Sequence, residues 1–106
     1  MTTPTFSVHT RYDKKSNTQL LLLEGEFGLK YIDRIKSRID SIKFESNNII
    51  IELKDISSID LSTVQLVYSL KKTLCDKGKI VKIVSEMPED IIPIIRNAGF
   101  YDFIKS

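Results

Sequence analysis

The sequence predicts an α/β domain, and three observations carry that prediction. Two β-branched and aromatic stretches are split by a polar gap. A short apolar run, Ile49-Ile50-Ile51-Glu52-Leu53, follows the turn pair Asn47-Asn48. Apolar residues recur at steps of three and four in two longer segments. In chain order this reads strand, strand, helix, strand, helix, strand, helix, with right-handed crossovers expected wherever parallel strands are joined.

Residues 5–12 and 18–23 form the opening hairpin around Asp13-Lys14-Lys15-Ser16-Asn17, and Glu24-Gly25-Glu26-Phe27-Gly28 breaks its second strand. Leu29, Ile32, Ile35, Ile39 and Ile42 share one helical face, which predicts a first helix over residues 29–43. The apolar run at 49–53 has the composition of a central strand buried on both faces of a parallel sheet. Val64, Val67, Leu70 and Leu74 define the second helix; Lys71, Lys72 and Lys77 lie towards its end, where positive charge suits the dipole, and Gly78 stops it. Residues 79–84 form the next strand. Met87-Pro88-Glu89-Asp90 opens a last short helix, in which Pro93 sits in the first turn if Asp90 is the cap and kinks the helix if it starts earlier. Gly99 predicts a left-handed cap with Phe100 packing back on Ile95.

A chain of 106 residues, 42% hydrophobic and 28% charged, fits one globular domain over residues 1–106, with no repeat, linker or low-complexity segment. Met1 to Pro4 lead directly into strand-like sequence, and no long apolar run follows, which predicts neither leader nor membrane insertion and a cytoplasmic location. The net charge of +2 is small and its basic residues are dispersed, so nucleic acid is not the expected partner. Cys75 is a single thiol without a basic setting and reads as a packed small hydrophobe; His9, alone in a strand, has no neighbouring ligands. No Gly-rich phosphate loop, CxxC pair or Ser/His/Asp set is present, so neither an enzyme, a metal site nor a cofactor is expected.

Function concentrates where the central strand meets the second helix, at Ser57-Ser58-Ile59-Asp60-Leu61-Ser62-Thr63. A helix start presents unpaired N–H groups and partial positive charge, so hydroxyls there serve either as caps or as phosphate acceptors. Ser62 followed by Gln65 fits a capping box, and Asp60 is favourable just outside a helix start. Gln65 and Tyr68 fall towards the exposed side of the helix, and tyrosine offers apolar area with a polar tip to a partner. Edge strands such as residues 5–12 are either blunted by charge or pair with another chain, so the oligomeric state stays open.

The order of elements, an Asp before a hydroxyl-bearing helix start, and Ile94-Ile95-Arg96-Asn97-Ala98-Gly99-Phe100 at the end together resemble the STAS domain, the sulfate transporter and anti-sigma factor antagonist family. Also family-like are the run at 49–53 and Gly78-Lys79-Ile80-Val81-Lys82-Ile83-Val84. The resemblance implies a single STAS-like α/β domain, with a four- to five-stranded mixed sheet and three main helices packed largely on one face. The family's helix start reads Asp-Ser-Ser/Thr-Gly, with the first Ser phosphorylated by a partner kinase. Here Asp60 matches the Asp, Leu61 stands at that first Ser, Ser62 matches the second hydroxyl, and Thr63 stands at the Gly.

The resemblance therefore implies a non-enzymatic bacterial module of transcription or signal control. Its candidate partner-binding residues are Ser58, Asp60, Leu61, Ser62, Thr63, Gln65 and Tyr68, and its candidate phosphorylation sites are Ser62 and Thr63. The implied partner is an anti-sigma serine kinase-like protein. The alternative is an adaptor subunit of a lipid-transport ABC complex or of a chemotaxis or signalling pathway, working without phosphorylation. A receiver domain is the neighbouring fold, but Arg11-Tyr12-Asp13-Lys14 lacks the acidic pair a receiver needs after its first strand. A small-ligand domain would need an aromatic or polar cluster that the sequence does not show.

Overall fold

The computed structural model describes residues 6–85, 89, 92–97 and 99. Its strands are β1 (Phe6–Asp13), β2 (Thr18–Phe27), β3 (Asn48–Ile59) and β4 (Ile80–Ser85); its helices are α1 (Ile32–Asp40), α2 (Leu61–Asp76) and the short α3 (Ile92–Asn97). The strands form one sheet in the order β1-β2-β3-β4, with β1 antiparallel to β2 and the other two pairings parallel. The mixed four-stranded sheet agrees with expectation. The described residues hold four strands and, besides α1 and α2, the six residues of α3.

The core lies between one sheet face and the two main helices. Leu21 and Leu23 of β2, Ile49, Ile51 and Leu53 of β3, and Ile83 of β4 point to that face and are fully shielded. Ile35 and Ile39 of α1 and Val64, Val67 and Leu74 of α2 close over them in a single cluster. The opposite face is only half covered: Leu20, Leu22, Ile50 and Glu52 are all partly exposed. The central strand is therefore not buried on both faces, as its composition suggested. Its continuous apolar run hides a period-2 burial pattern in which every second side chain meets the helices. A shortest dimension of 20 Å matches one sheet with one helical layer.

β2 does not stop at Glu24-Gly25 but runs on to Phe27, and β3 runs on to Ile59 instead of ending at Leu53. The register explains how. Glu24 pairs with Lys54, Gly25 with Ile56 and Glu26 with Ser58, so Asp55 and Ser57 are extra residues bulged out of β3. Gly25 has φ of +103° and Asp55 of +51°, a left-handed conformation that Asp tolerates better than a branched side chain would. The bulge returns Ile56 to the core face, where it is 5% exposed.

α1 is shorter than predicted, beginning after a 3-10 turn at Leu29–Tyr31 and ending at Asp40. Ser41 donates its hydroxyl to the Arg38 carbonyl at 2.7 Å, and beyond it Ile42 and Phe44 both pack on the core, which is the alternation of an extended chain and not of a helix. At its other end α2 stops as predicted: Gly78 has φ of +86°, its N–H donates to Cys75 and that of Lys79 to Leu74, a Schellman closure. The last turn of α2 carries no basic residue, and Cys75 is exposed on its outer side instead of packed. Pro93 lies in the first turn of α3, where its missing N–H costs nothing, and Gly99 is left-handed with φ of +89°. Asp90 and Phe100, and the packing expected between Phe100 and Ile95, lie outside what is described.

Gln19 is the buried polar residue that ties the hairpin to the α1–β3 connection. Fully shielded, it directs Nε2 towards the Lys43 carbonyl at 3.0 Å, Thr10 Oγ1 at 3.1 Å and the Tyr12 hydroxyl at 3.1 Å, while that hydroxyl donates to the same carbonyl at 2.9 Å. A carbonyl only accepts, so the Lys43 oxygen fixes which end of the amide faces it. Gln19→Leu keeps the volume and deletes the donor; equilibrium urea unfolding should show a loss of about 1–3 kcal/mol, against about 1 kcal/mol for Tyr12→Phe.

Candidate functional site

The candidate site is built where β3 runs into α2, and one backbone carbonyl organises it. Phe27 ends β2 opposite Ile59, and its oxygen accepts from the Asp60 N–H at 3.1 Å and from Thr63 Oγ1 at 2.8 Å. These two donors hold the first turn of α2 against the end of the neighbouring strand. Below them Phe6 stacks at a tilt on Phe27 at 5.8 Å and on Tyr31 at 5.5 Å, and Lys30 Nζ lies 5.6 Å from the Tyr31 ring centre.

Asp60 is the cap of α2. Its backbone is extended, at φ −107° and ψ 153°, and its Oδ1 accepts from the Ser62 N–H at 3.0 Å and from Ser62 Oγ at 2.9 Å. Its carbonyl takes the N–H groups of Thr63 and Val64. The capping box expected from Ser62 and Gln65 is therefore replaced: the helix begins one residue before Ser62, so Ser62 donates to the cap instead of being one. The carboxylate also sits at the positive end of the helix dipole, and no other acid lies in the first turn.

The helix start separates its two hydroxyls. Ser62 is half-buried and its hydroxyl is on the Asp60 carboxylate, whereas Thr63 is 0% exposed and its hydroxyl is committed to Phe27. The Thr63 side chain is thus buried beneath the first turn of α2. Leu61, Gln65 and Tyr68 recur at the spacing of one helical face; Leu61 is half-buried, Gln65 exposed and Tyr68 39% exposed. Thr63, Val64, Val67 and Leu74 make the opposite, buried face. Ser58 is half-buried within β3 and not in a turn, because the bulge carries the strand through it. His9 is exposed on β1, and among the described residues no group of His, Cys, Asp and Glu could hold a metal ion.

The Phe27 carbonyl and the bulge that delivers Asp60 to it were not foreseen from the sequence. Glu24-Gly25 was the available signal, since a Gly within a strand pattern marks a bulge as readily as a break. Among the described residues no helix is long and apolar enough to cross a membrane.

Comparison with known proteins points in one direction. The STAS domain family profile matches residues 10–106. An anti-sigma factor antagonist, SpoIIAA in its unphosphorylated form, superposes with a TM-score of 0.67 at 18% identity, covering 92% of this chain and 85% of its own. The Bacillus cell fate determinant SpoIIAA in its phosphorylated form gives 0.62 at 18% identity, over 92% and 88%. The STAS domain of an antisigma-factor antagonist from Rhodobacter sphaeroides gives 0.62 at 18% identity, over 74% and 85%. No curated protein matches.

The assignment of the cap has a direct thermodynamic consequence. Asp60→Ala should cost about 1 kcal/mol or more in urea unfolding, as loss of a helix cap does, and Ser62→Ala distinctly less. Thr63→Val, which removes only the hydroxyl on Phe27, should cost about 1 kcal/mol. A larger loss for Ser62→Ala than for Asp60→Ala would place the cap on Ser62 after all.

Proposed function

The chain belongs to the STAS domain family, and from that premise we propose that it is a non-enzymatic regulatory module. It binds a protein partner through the β3–α2 junction and the outward stripe of α2. The observation that carries the proposal is the hydroxyl of the half-buried Ser62, at a helix start and 2.9 Å from the Asp60 carboxylate. Such a hydroxyl can be phosphorylated, and the added charge of about −1.5 to −2 beside a carboxylate repels whatever had docked on the neutral surface. Ser62 is the acceptor and Thr63 is not, because Thr63 is sealed beneath the first turn.

The partner in this reading is an anti-sigma serine kinase-like protein, and the outcome of phosphorylation is its release. Ser58, Asp60, Leu61, Ser62, Gln65 and Tyr68 form the contact surface, with Thr63 acting from below to hold it in shape. The setting is the bacterial cytoplasm, and the process is control of transcription or signalling.

A second reading is favoured by one observation, the apolar Leu61, half-buried at the position next to the cap where an acceptor Ser would stand. There the same surface docks permanently on a subunit of a lipid-transport ABC complex or of a signalling assembly, and no phosphate is involved.

Affinity for the partner purified from the native cell separates the two. Under the switch reading Ser62→Asp weakens binding by more than Ser62→Ala in calorimetry; equal affinities for the two variants would remove the switch and favour the adaptor. Tyr68→Ala should weaken binding under either reading while shifting the melting temperature by no more than about 4 °C, the effect of less than about 1 kcal/mol in a domain of this size.

A further inference from the structure

Among the described residues β1 is an edge strand, and an edge strand offers its outer backbone groups to any further strand. In an antiparallel pair the residues of one strand direct their N–H and C=O alternately towards the neighbour and away from it. The Val8 carbonyl accepts from Arg38 Nη2, in the last turn of α1, at 3.2 Å, so Val8 faces away from β2, and by alternation so do Thr10 and Tyr12. The guanidinium therefore occupies the flank from which a strand would approach. Beyond Val8, Thr10, Arg11 and Tyr12 are all exposed, and among the described residues no side chain donates to the Thr10 or Tyr12 carbonyl.

A second copy of this chain is the partner whose fit can be derived, because two β1 strands can pair about a two-fold axis. A two-fold at Thr10 sets Val8 against Tyr12 of the other copy and needs the carbonyl that Arg38 holds. A two-fold at Arg11 leaves Val8 out and exchanges Thr10 with Tyr12, but it places Arg11 directly opposite its own copy. That pair is of the close, non-hydrogen-bonded kind, where like charges are destabilising. A two-fold at Tyr12 keeps only that one outward pair inside both strands.

We infer that Arg38 and Arg11 together close the outer edge of β1 to a second copy of this chain, each blocking the register that the other leaves open. The role is independent of the β3–α2 junction and of any partner bound there.

The test is sedimentation equilibrium of the full chain with hydrogen exchange of the same samples. Arg38→Ala combined with Arg11→Thr should tighten self-association by about tenfold or more relative to the parent, with the Thr10 and Tyr12 amides becoming protected as dimer forms. Arg11→Thr alone, an exposed β-branched replacement that leaves the Arg38 contact intact, should raise self-association by a smaller factor. If the double variant fails to fold, the single variant decides. Association no tighter than the parent's, or tighter without protection of Thr10 and Tyr12, overturns the inference.

Discussion

The junction of this domain depends on one backbone oxygen. The Phe27 carbonyl closes β2, and because it accepts from both the Asp60 N–H and the Thr63 hydroxyl it fixes where β3 ends and where α2 begins. A carbonyl has two lone pairs, and here both find donors from a turn more than thirty residues away in sequence. With that anchor in place Asp60 is held extended and its carboxylate folds over the first turn as the cap. Ser62 is left half-buried with its hydroxyl on that carboxylate. The shape of the junction is thus decided by a contact buried beneath it.

The bulge in β3 serves the same end. Two extra residues, Asp55 and Ser57, allow β3 to twist past its pairing with Gly25 and still bring Ile56 into the core and Ile59 alongside Phe27. Without them the alternation would turn Ile56 outward. The cost is a left-handed Asp55, acceptable at an exposed position whose side chain is short and polar.

Much of the architecture was legible in the sequence because it is written in local pattern. Ile35 and Ile39, and Val64 and Val67, fall at the spacing of helices and are buried where that spacing puts them; the strands were legible from composition and flanking turns, but which residues of the runs 20–23 and 49–53 meet the core was not. What escaped is written in contacts between distant residues. The end of α1 depends on Tyr12 and Gln19 reaching the Lys43 carbonyl, and the length of β3 depends on a register with β2 that no local pattern reveals. At the site, Asp60, Ser62, Gln65 and Tyr68 were identifiable as a group, but the division of labour was not. Ser62 and Thr63 are alike in chemistry, and only the fold makes one a half-buried group and the other a buried tie to Phe27.

The central claim is that this junction is a protein-docking surface whose phosphate acceptor is Ser62. The most direct test is to recover the chain with its bound protein from the native cell and localise phosphate on the peptide spanning residues 55–71 by fragmentation mass spectrometry. The account predicts a kinase-like protein in the complex and a phosphate on Ser62 with none on Thr63. Phosphate on Thr63, or a chain recovered with no protein bound and Ser62 unmodified, would contradict it.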